Sequence, residues 1–515
     1  MNIHTKVTVG ITLFALLGLF FVSDYGMSYD DQHNREFGLA TYEFITAKLT
    51  GEPYRCVNEY CVTSKYHGLI HGPVFELPLI LIEKVAQITD VHDVYLLRHY
   101  TVWLFFCFGL FLFYRLCFLL THQVSLSILG VAWLALTPRI FADAFYNSVD
   151  IPFLVLNIAT AYTLLCLLEK PSWQKTCVHG IVTGLACDIR IVAGIWVPIT
   201  IGLLWYRYHT RLSQLLVLKR SLLYLGTFLG TLILCWPLLW QNPLLLVPAI
   251  REVAQFDMFV STLFGGTLLT GPGAPWNYLP VWMSITLPLS ILGVGILGYV
   301  YSLGKIRSGG DAQRIHLLLP LLWLTLPLLL VFLYNPTLYS GWRHFFFIYP
   351  AFILLALKGI LFLHEKIKNN QLLKKIGTCL LIGSVIHLVI IDITYHPYEN
   401  LYFNALAPQM STPCQEYDTD YWGLSYKEIF EHVLTRDNRS VLKIYSANIQ
   451  AAHFLSSLPI EERTRIRLVN SSKQADYYVT NYYEKKNMCN KASFRSMNIT
   501  KRVQEIPLYT INKIN

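Results

Sequence analysis

Residues 315–333 read IHLLLPLLWLTLPLLLVFL, a run without a single acidic residue, lysine or arginine. The hydrocarbon core of a bilayer is about 30 Å thick and needs roughly 20 apolar residues in a helix. The stretch therefore predicts a membrane-spanning helix, and it places the chain among membrane proteins.

The composition of the whole chain agrees with this stretch. Of the 515 residues, 54% are hydrophobic and only 14% are charged, whereas soluble domains carry about 25% charged residues. So few charges could not cover the wet surface of several soluble domains, and disorder requires the opposite composition. We predict an α-helical polytopic membrane protein with a smaller soluble part.

Eleven apolar stretches in all are candidate spans. They fall at residues 7–22, 95–113, 124–137, 151–168, 177–187, 191–206, 221–240, 279–303, 315–333, 344–363 and 376–393. Two of them, 177–187 and 191–206, are short and are separated by Cys187-Asp188-Ile189-Arg190. Because lipid-facing backbone does not tolerate such a break, this pair predicts two half-length helices that meet at a polar cavity. The first span has no small-residue cleavage site and is interpreted as a retained helix.

The lysines and arginines of the short loops set the orientation. With a cytoplasmic N-terminus, the inner segments hold fifteen of them, and the short outer loops hold only Arg139, Arg251 and Arg343. An odd number of spans leaves the C-terminus outside. We predict a multi-pass protein of the cell inner (plasma) membrane, with a cytoplasmic N-terminus and a periplasmic or extracytoplasmic C-terminal part.

Residues 67–88 are apolar enough to resemble a further span, but they carry Glu76, Glu83 and Lys84. A span here would invert every later loop and place the basic residues outside. We therefore predict an amphipathic helix that lies at the membrane interface, within an outer loop over residues 23–94.

The chain then divides into a transmembrane domain, residues 1–393, and an extracytoplasmic soluble domain, residues 394–515. The second domain is richer in charge and alternates short β-branched or aromatic runs with polar segments. Strands are predicted at 441–445, 466–469, 477–480 and 508–511, and a helix at 447–455. This pattern predicts a small α/β domain.

The eleven cysteines fall into two groups. Seven lie in apolar spans, where cysteine behaves as a small hydrophobic residue. The other four lie outside in the predicted topology, and oxidising compartments favour their pairing. We predict the disulfides Cys56–Cys61 and Cys414–Cys489, because each pair lies within one segment; four free thiols are the alternative.

An acidic pair, Asp30-Asp31, follows the first span by a few residues. A carboxylate at the membrane edge is well placed where a lipid-linked substrate meets an acceptor from the water side. Adjacent carboxylates raise each other's pKa, which suits a general base. From this pair alone, a solvated or helix-capping role is the favoured interpretation.

Arginine is scarce in the outer loops, which makes Arg343 and Arg190 notable. Arg343 lies in the sequence Tyr339-Ser340-Gly341-Trp342-Arg343-His344, and a guanidinium matches phosphate oxygens bidentately. A snorkelling anchor is the alternative. Arg190 lies at a break between spans, where a charge is costly, and its alternative role is an ion pair with Asp188 or with an acid in a nearby loop. Together with Asp150, which lies in the outer loop over residues 138–152, these residues imply a substrate with a phosphate head and a lipid tail.

These residues also carry a family resemblance that covers nearly the whole chain. The sequence resembles membrane glycosyltransferases of the C-type fold that use polyprenyl-phosphate sugars, in the protein mannosyltransferase-like and aminoarabinose-transferase-like group (family 39-like). The motifs, in order, are Ser28-Tyr29-Asp30-Asp31, residues 145–152 (FYNSVDIP), residues 184–190, Pro275-Trp276-Asn277-Tyr278 with Pro288, residues 339–344, His396-Pro397-Tyr398 with Tyr402-Phe403-Asn404, and Asp420-Tyr421-Trp422-Gly423.

The resemblance implies an inverting transfer of a sugar from an undecaprenyl or dolichyl type of phosphate to an acceptor on the extracytoplasmic face. Asp30 would be the general base, and Asp31 and Asp150 would support it or position the acceptor. Positive charge would stabilise the departing lipid phosphate. The residues that the resemblance assigns further are Arg343, His344 and Arg190 for the donor phosphate, and Tyr339, Tyr146 and Asn147 for positioning the substrate.

The expected partners are the lipid-linked sugar donor, a lipid, polysaccharide or protein acceptor, and membrane lipids, but not nucleic acid. No Walker loop, dinucleotide fingerprint or HExxH motif is present in the sequence. The sequence assigns no certain cofactor and no set of metal ligands. A divalent metal remains an open alternative. For His67 and His71, packing at the interface is preferred over metal binding. The alternative functions are a flippase or transporter of lipid-linked sugars, a polysaccharide polymerase or ligase, and a non-catalytic scaffold.

Overall fold

The computed structural model describes residues 2–57, 60–62, 71–209, 212–254, 261–271, 273–308, 310–407, 413–446, 448, 450–483 and 499–514. Its first ten helices are α1 (Ile3–Gly18), α2 (Tyr29–Thr50), α3 (Glu76–Val85), α4 (Val91–Thr121), α5 (Val124–Ala135), α6 (Pro138–Tyr146), α7 (Asp150–Glu169), α8 (Trp173–Ile189), α9 (Trp196–Tyr208) and α10 (Gln214–Cys235). The next six are α11 (Leu246–Ala254), α12 (Tyr278–Thr286), α13 (Leu289–Lys305), α14 (Asp311–Tyr334), α15 (Tyr349–Lys366) and α16 (Gln371–Tyr395).

Eight of the described helical segments are long and apolar enough to cross a membrane, and the α5–α6 pair, bent by 66°, would make nine. The predicted polytopic helical architecture is therefore confirmed. The predicted span 177–187 corresponds to α8. The predicted span 279–303 is divided into α12 and α13 at Leu287-Pro288, where Pro288 has no backbone N–H to donate. α8 and α13 have 17 residues each. At 1.5 Å per residue such a helix is about 26 Å long, slightly less than the bilayer core.

The break predicted at Arg190 is present, but neither flanking segment is half-length, since Ile191–Tyr208 is itself long and apolar enough to cross a membrane. α8 begins at Trp173, so it is nearly a full span rather than a half-length helix. Small residues explain its course, because a Cβ at Gly180 or Gly184 would collide with the backbone and threonines of α10. Arg190 itself is extended, and a 3₁₀ turn over Ile191–Ile195 leads into α9.

The loop after α1 differs from the prediction at 67–88. Residues 67–70 lie outside the described part, and the helix there is the short α3. Its two acids face inward, since Glu76 and Glu83 are buried against Arg98 of α4, while Val85 is 85% exposed. Both acids are buried because they pair with Arg98 on α4. The hydrophobic pattern of residues 67–88 could not predict this pairing. The sequence did not predict α2, whose 22 residues carry Asp30 and Asp31 in the first turn.

After α16 the chain forms a small α/β unit, as predicted. Its helices are α17 (Pro413–Glu416), α18 (Ser425–Arg436), α19 (Gln450–Leu455) and α20 (Ile460–Arg463). The strands of the chain are β1 (Ser261–Phe264), β2 (Thr267–Thr270), β3 (Leu442–Ser446), β4 (Ile466–Leu468), β5 (Tyr477–Thr480), β6 (Ile499–Val503) and β7 (Ile506–Lys513). The five-stranded sheet has the order β4-β3-β5-β7-β6, with β3 parallel to both of its neighbours and β7 antiparallel to its own.

The cysteines follow the prediction where the structure describes them. The Cys56–Cys61 disulfide is present. Cys414 is disulfide-bonded, and its predicted partner Cys489 lies outside the described residues. The seven cysteines of the apolar spans are free thiols, as expected for small hydrophobic residues.

Candidate active site

The two acids at the start of α2 have separate positions. Asp31 forms a capping box with Ser28, in which the Ser28 backbone N–H donates to Asp31 Oδ2 at 2.8 Å. Asp31 is fully buried, and the same oxygen lies 3.5 Å from Nε2 of His99. Successive helical residues are about 100° apart around the axis, so Asp30 faces elsewhere, with its side chain 35% exposed.

Asp30 begins a chain of alternating charges. Its Oδ2 lies 3.0 Å from Nη2 of Arg343, whose Nη1 lies 3.0 Å from Oδ2 of Asp150. The other oxygen of Asp150 accepts from Nη2 of Arg190 at 2.5 Å. The structure thus brings together four of the predicted site residues, which come from the start of α2, the start of α7, the break after α8 and the turn before α15. We call Asp30, Arg343, Asp150 and Arg190 the ionic chain.

Asn147 sets the position of Asp150. Its side-chain amide donates to Asp150 Oδ2 at 3.0 Å and to Asp143 Oδ1 at 2.7 Å. Its carbonyl oxygen accepts from the backbone N–H groups of Val149 and Asp150 at 3.2 and 2.8 Å. Asn147 was predicted to position the substrate, and in the structure it orders the turn between α6 and α7 and orients the acid at the start of α7.

Arg343 is held between two aromatic rings. Its guanidinium lies 5.3 Å from the ring centroid of Tyr339 and 4.4 Å from that of Trp422, and only 4% of the side chain is exposed. His344 packs edge-on against Tyr339, with the centroids 4.6 Å apart. Burial raises the pKa of Tyr339, although Arg343 opposes the shift, so this hydroxyl stays a neutral donor at physiological pH.

Tyr146, another predicted site residue, lies in a neighbouring polar cluster. It is fully buried, and its ring centroid lies 5.9 Å from that of Trp422. Its hydroxyl has no hydrogen-bond partner within the described part of the chain, whereas the Tyr421 hydroxyl lies within hydrogen-bonding reach of the Arg139 guanidinium. Arg139 packs over Trp282 at 5.1 Å. These buried polar groups beside the ionic chain can form further hydrogen bonds.

A second cluster of buried charges connects α2 and α3 to α4. Arg98 on α4 is fully buried and pairs with Glu76 and Glu83, and Glu83 also accepts from Nε of Arg35 at 3.0 Å. Burial raises the pKa of Glu76, while Arg98 lowers it, and burial prevails. These ion pairs connect α2, α3 and α4, and they fix the helix that carries Asp30.

The described residues hold no group of three or more His, Cys, Asp or Glu side chains arranged for a metal ion. His67 lies outside them, and His71 packs edge-on against Phe37 with the centroids 4.9 Å apart. The acids of the ionic chain already face guanidinium groups. Two arginines beside two acids form a site suited to an anionic ligand.

Three residues near the site carried no role in the sequence prediction. Arg98 and Arg139 lie within or beside apolar stretches, and a charge there is a signal of function or pairing that was available. Trp422 lies in one of the motifs of the resemblance but received no role, because it lies about 80 positions after Arg343 and only the folded chain places it on the guanidinium.

No family model and no curated protein matches the sequence. Solved structures of two transferases are similar to this chain. One is ArnT from Cupriavidus metallidurans bound to undecaprenyl phosphate, at 11% identity over 99% of this chain and 98% of that one, with a TM-score of 0.49. The other is the oligosaccharyltransferase from Archaeoglobus fulgidus in the apo form, at 10% identity over 92% of this chain, with a TM-score of 0.48.

The chain spans 65% of the length of the archaeal oligosaccharyltransferase. ArnT in the apo state is similar as well, at 11% identity and a TM-score of 0.46. At such identities and with TM-scores below 0.5, these likenesses establish neither a family nor an activity for the chain.

Proposed function

We propose that the chain is a membrane glycosyltransferase that moves a sugar from a polyprenyl phosphate to an acceptor with inversion at the anomeric carbon. The observation that carries the proposal is the ionic chain, in which the exposed acid Asp30 directly contacts the buried Arg343. A base and a phosphate-binding group that touch each other suit a reaction in which a proton is lost and a phosphate leaves.

The reaction step balances within this pair. A hydroxyl oxygen of the acceptor attacks the anomeric carbon, the bond from that carbon to the phosphate oxygen breaks with its electrons on the oxygen, and the acceptor proton passes to Asp30. The donor is a phosphodiester with one negative charge, whereas the released monoester carries about −1.5 to −2 near neutral pH. Asp30 loses its charge as the phosphate gains one.

The Asp30–Arg343 contact can therefore act as a charge exchange. Before the reaction, Asp30 and Asp150 share the guanidinium at 3.0 Å each. When Asp30 takes up a proton, its attraction for Arg343 falls, and the Nη2 group is released toward the developing phosphate charge. Binding energy then appears in the transition state rather than in the ground state, which is what raises kcat.

Asp150 has a supporting role in this proposal. With one oxygen on Arg190 and the other on Arg343, it keeps two guanidinium groups close together in spite of their repulsion. The pair then presents two forks to one phosphate, and Arg190, with 25% of its side chain exposed, is the more accessible. Asp31, which caps α2, acts only through the position of Asp30.

The location of the site suits a lipid-linked donor. Asp150 and Arg343 both begin apolar helical segments that are long enough to cross a membrane, so their charges lie at the end of the apolar zone. A polyprenyl phosphate has its charge at that depth and its tail among the helices. From the lysine and arginine distribution, we assign this end to the extracytoplasmic side of the inner membrane.

The decisive experiment uses Asp30→Asn in full-length protein reconstituted into liposomes. The probes are radiolabelled undecaprenyl-phosphate mannose, glucose and aminoarabinose, and the readouts are transfer to envelope lipid extract and release of free sugar to water. A general base contributes about 10²–10⁴-fold, so we expect Asp30→Asn to lower kcat at least 100-fold. Unchanged transfer by Asp30→Asn would refute the base.

Asp93→Asn is the matched control, because Asp93 is an exposed acid in the first turn of α4. We expect it to keep wild-type turnover. If the wild type moved the labelled donor across the vesicle membrane without any sugar transfer, the proposal would be wrong and the transporter alternative would replace it.

A further inference from the structure

We propose that Trp422, from the C-terminal α/β unit, is a positioning residue that holds Arg343 and the Asp30 helix together. This inference rests on the proposed function, because it assigns Trp422 a role in the same reaction. Trp422 lies in the segment Asp420–Gly423, which enters the site although its sequence position is far from every other site residue.

The side chain of Trp422 contacts one catalytic partner. Its ring lies 4.4 Å from the Arg343 guanidinium, closer than the Tyr339 ring on that group at 5.3 Å. Trp422 is 2% exposed, so the contact is desolvated, and cation–π attraction is strongest under that condition and with tryptophan. The two rings limit the guanidinium to the orientation in which its edges reach Asp30 and Asp150.

The main chain of Trp422 contacts Tyr29, the residue before Asp30. Its carbonyl oxygen accepts a hydrogen bond from the backbone N–H of Tyr29 at 3.1 Å, and Tyr29 directly precedes Asp30 at the start of α2. A Cβ at Gly26 would collide with the carbonyl of Leu424, so the two segments approach as closely as backbones can. One residue therefore contacts Arg343 directly and also holds the start of the helix that carries Asp30.

The turn that carries Trp422 is itself rigid. Asp420 is buried and accepts from the backbone N–H of Leu424 at 3.0 Å and from the Ser425 hydroxyl at 2.6 Å. Gly423 has φ of 75°, and a side chain there would meet Phe454 of α19. A rigid turn holds Trp422 against Arg343 before the substrate binds, so no conformational entropy is lost for this contact during the reaction.

The test compares Trp422→Leu with Trp422→Phe in full-length protein in liposomes, with undecaprenyl phosphate itself as the binding probe. Loss of a desolvated cation–π contact is expected to raise the Kd for undecaprenyl phosphate about tenfold and to lower kcat by a similar factor. Trp422→Phe keeps an aromatic face and should recover most of both losses. Unchanged Kd and kcat in Trp422→Leu would overturn the proposal.

Trp173→Leu is the matched control. Trp173 also packs against a guanidinium, that of Arg220 at 5.2 Å, but it is 46% exposed and lies at the far end of α8 from Arg190. We expect this variant to bind and turn over as the wild type does. A tenfold loss in Trp173→Leu as well would overturn the specific role of Trp422.

A double-mutant cycle with Arg343→Lys separates positioning from general stability. If Trp422 acts through Arg343, the losses in binding from Trp422→Leu and Arg343→Lys should be clearly less than additive. Additive losses would show a merely structural role and refute the inference. If Trp422→Leu does not fold, the same cycle is run with Trp422→Phe, where we expect a two- to threefold loss of binding that Arg343→Lys removes.

The two proposals fail in distinguishable ways. Normal binding by Trp422→Leu together with inactive Asp30→Asn would refute the positioning role and leave the glycosyltransferase proposal intact. Normal transfer by Asp30→Asn would refute the proposed base whatever Trp422 does.

Discussion

Two adjacent aspartates illustrate what a single residue position decides. Asp30 and Asp31 have the same side chain, but Asp31 accepts from the Ser28 backbone at 2.8 Å inside the protein, while Asp30 reaches Arg343 at 3.0 Å. The sequence placed an acidic pair at a membrane edge and offered both catalysis and helix capping as roles. The structure gives the capping role to Asp31, and our proposal gives the catalytic role to Asp30.

This division predicts different behaviour for the two acids. Asp31→Ala removes the carboxylate of the capping box, and loss of such a cap costs about 1 kcal/mol in the free energy of unfolding. We expect a lower thermal unfolding midpoint in detergent for Asp31→Ala and an unchanged midpoint for Asp30→Asn. An Asp31→Ala protein with wild-type stability and no transfer activity would contradict the assignment.

At the scale of helices and strands, apolar length was the reliable signal. The apolar stretches that predicted α4, α7, α14 and α16 were correct because a helix in lipid must satisfy its backbone internally. The unpredicted α2, and α3, which is shorter than the helix predicted at 67–88, depend on ion pairs between distant residues. Arg98 and Glu76 are 22 positions apart, and nothing local in the sequence indicates that they meet.

A small cluster of titratable side chains joins the residues that follow α16 to the turn that follows α1. His396 lies 3.0 Å from Asp24 and 2.9 Å from Glu399, and Tyr25 donates to Glu399 at 3.0 Å. The rings of Phe21 and Tyr25 also pack against His396, at 5.5 and 5.4 Å between centroids. Burial lowers the pKa of His396, but Glu399 and Asp24 raise it by more, so the pKa is raised overall.

A raised pKa makes this junction sensitive to pH. A histidine whose folded pKa exceeds the unfolded value of about 6.5 contributes stability that is fully present below that value and is lost as the pH rises through the folded pKa. We expect the thermal unfolding midpoint to fall between pH 6.5 and 8.5 more in the wild type than in His396→Gln. Equal slopes in the two proteins would show that the junction does not contribute.

At the scale of the molecule, composition predicted the division into an apolar and a polar part. It did not predict that the polar part enters the site. A membrane protein with a soluble unit is legible from hydropathy because lipid and water select different residues. The contact of Trp422 with Arg343 at 4.4 Å depends on how the two parts pack, and packing has no counterpart in composition.

The orientation remains a prediction that reporter fusions can test. Fusions truncated after residues 310, 370 and 450 should report the cytoplasm at the first two positions and the extracytoplasmic side at the third, since lysine and arginine favour the inner loops. Green fluorescent protein and alkaline phosphatase give opposite readouts and serve as each other's controls. Cytoplasmic fluorescence at 450 would place the α/β unit, and with it the site, on the other side.

The position of Trp422 in the chain has a consequence for biosynthesis. The acid and both arginines precede α16, whereas Trp422 follows it. A nascent chain that has inserted all its long apolar helices still lacks the ring that holds Arg343. By our proposal, the site becomes complete only after the last polar segment has been delivered and folded, so an unfinished chain binds the donor more weakly and transfers sugar more slowly than the finished protein.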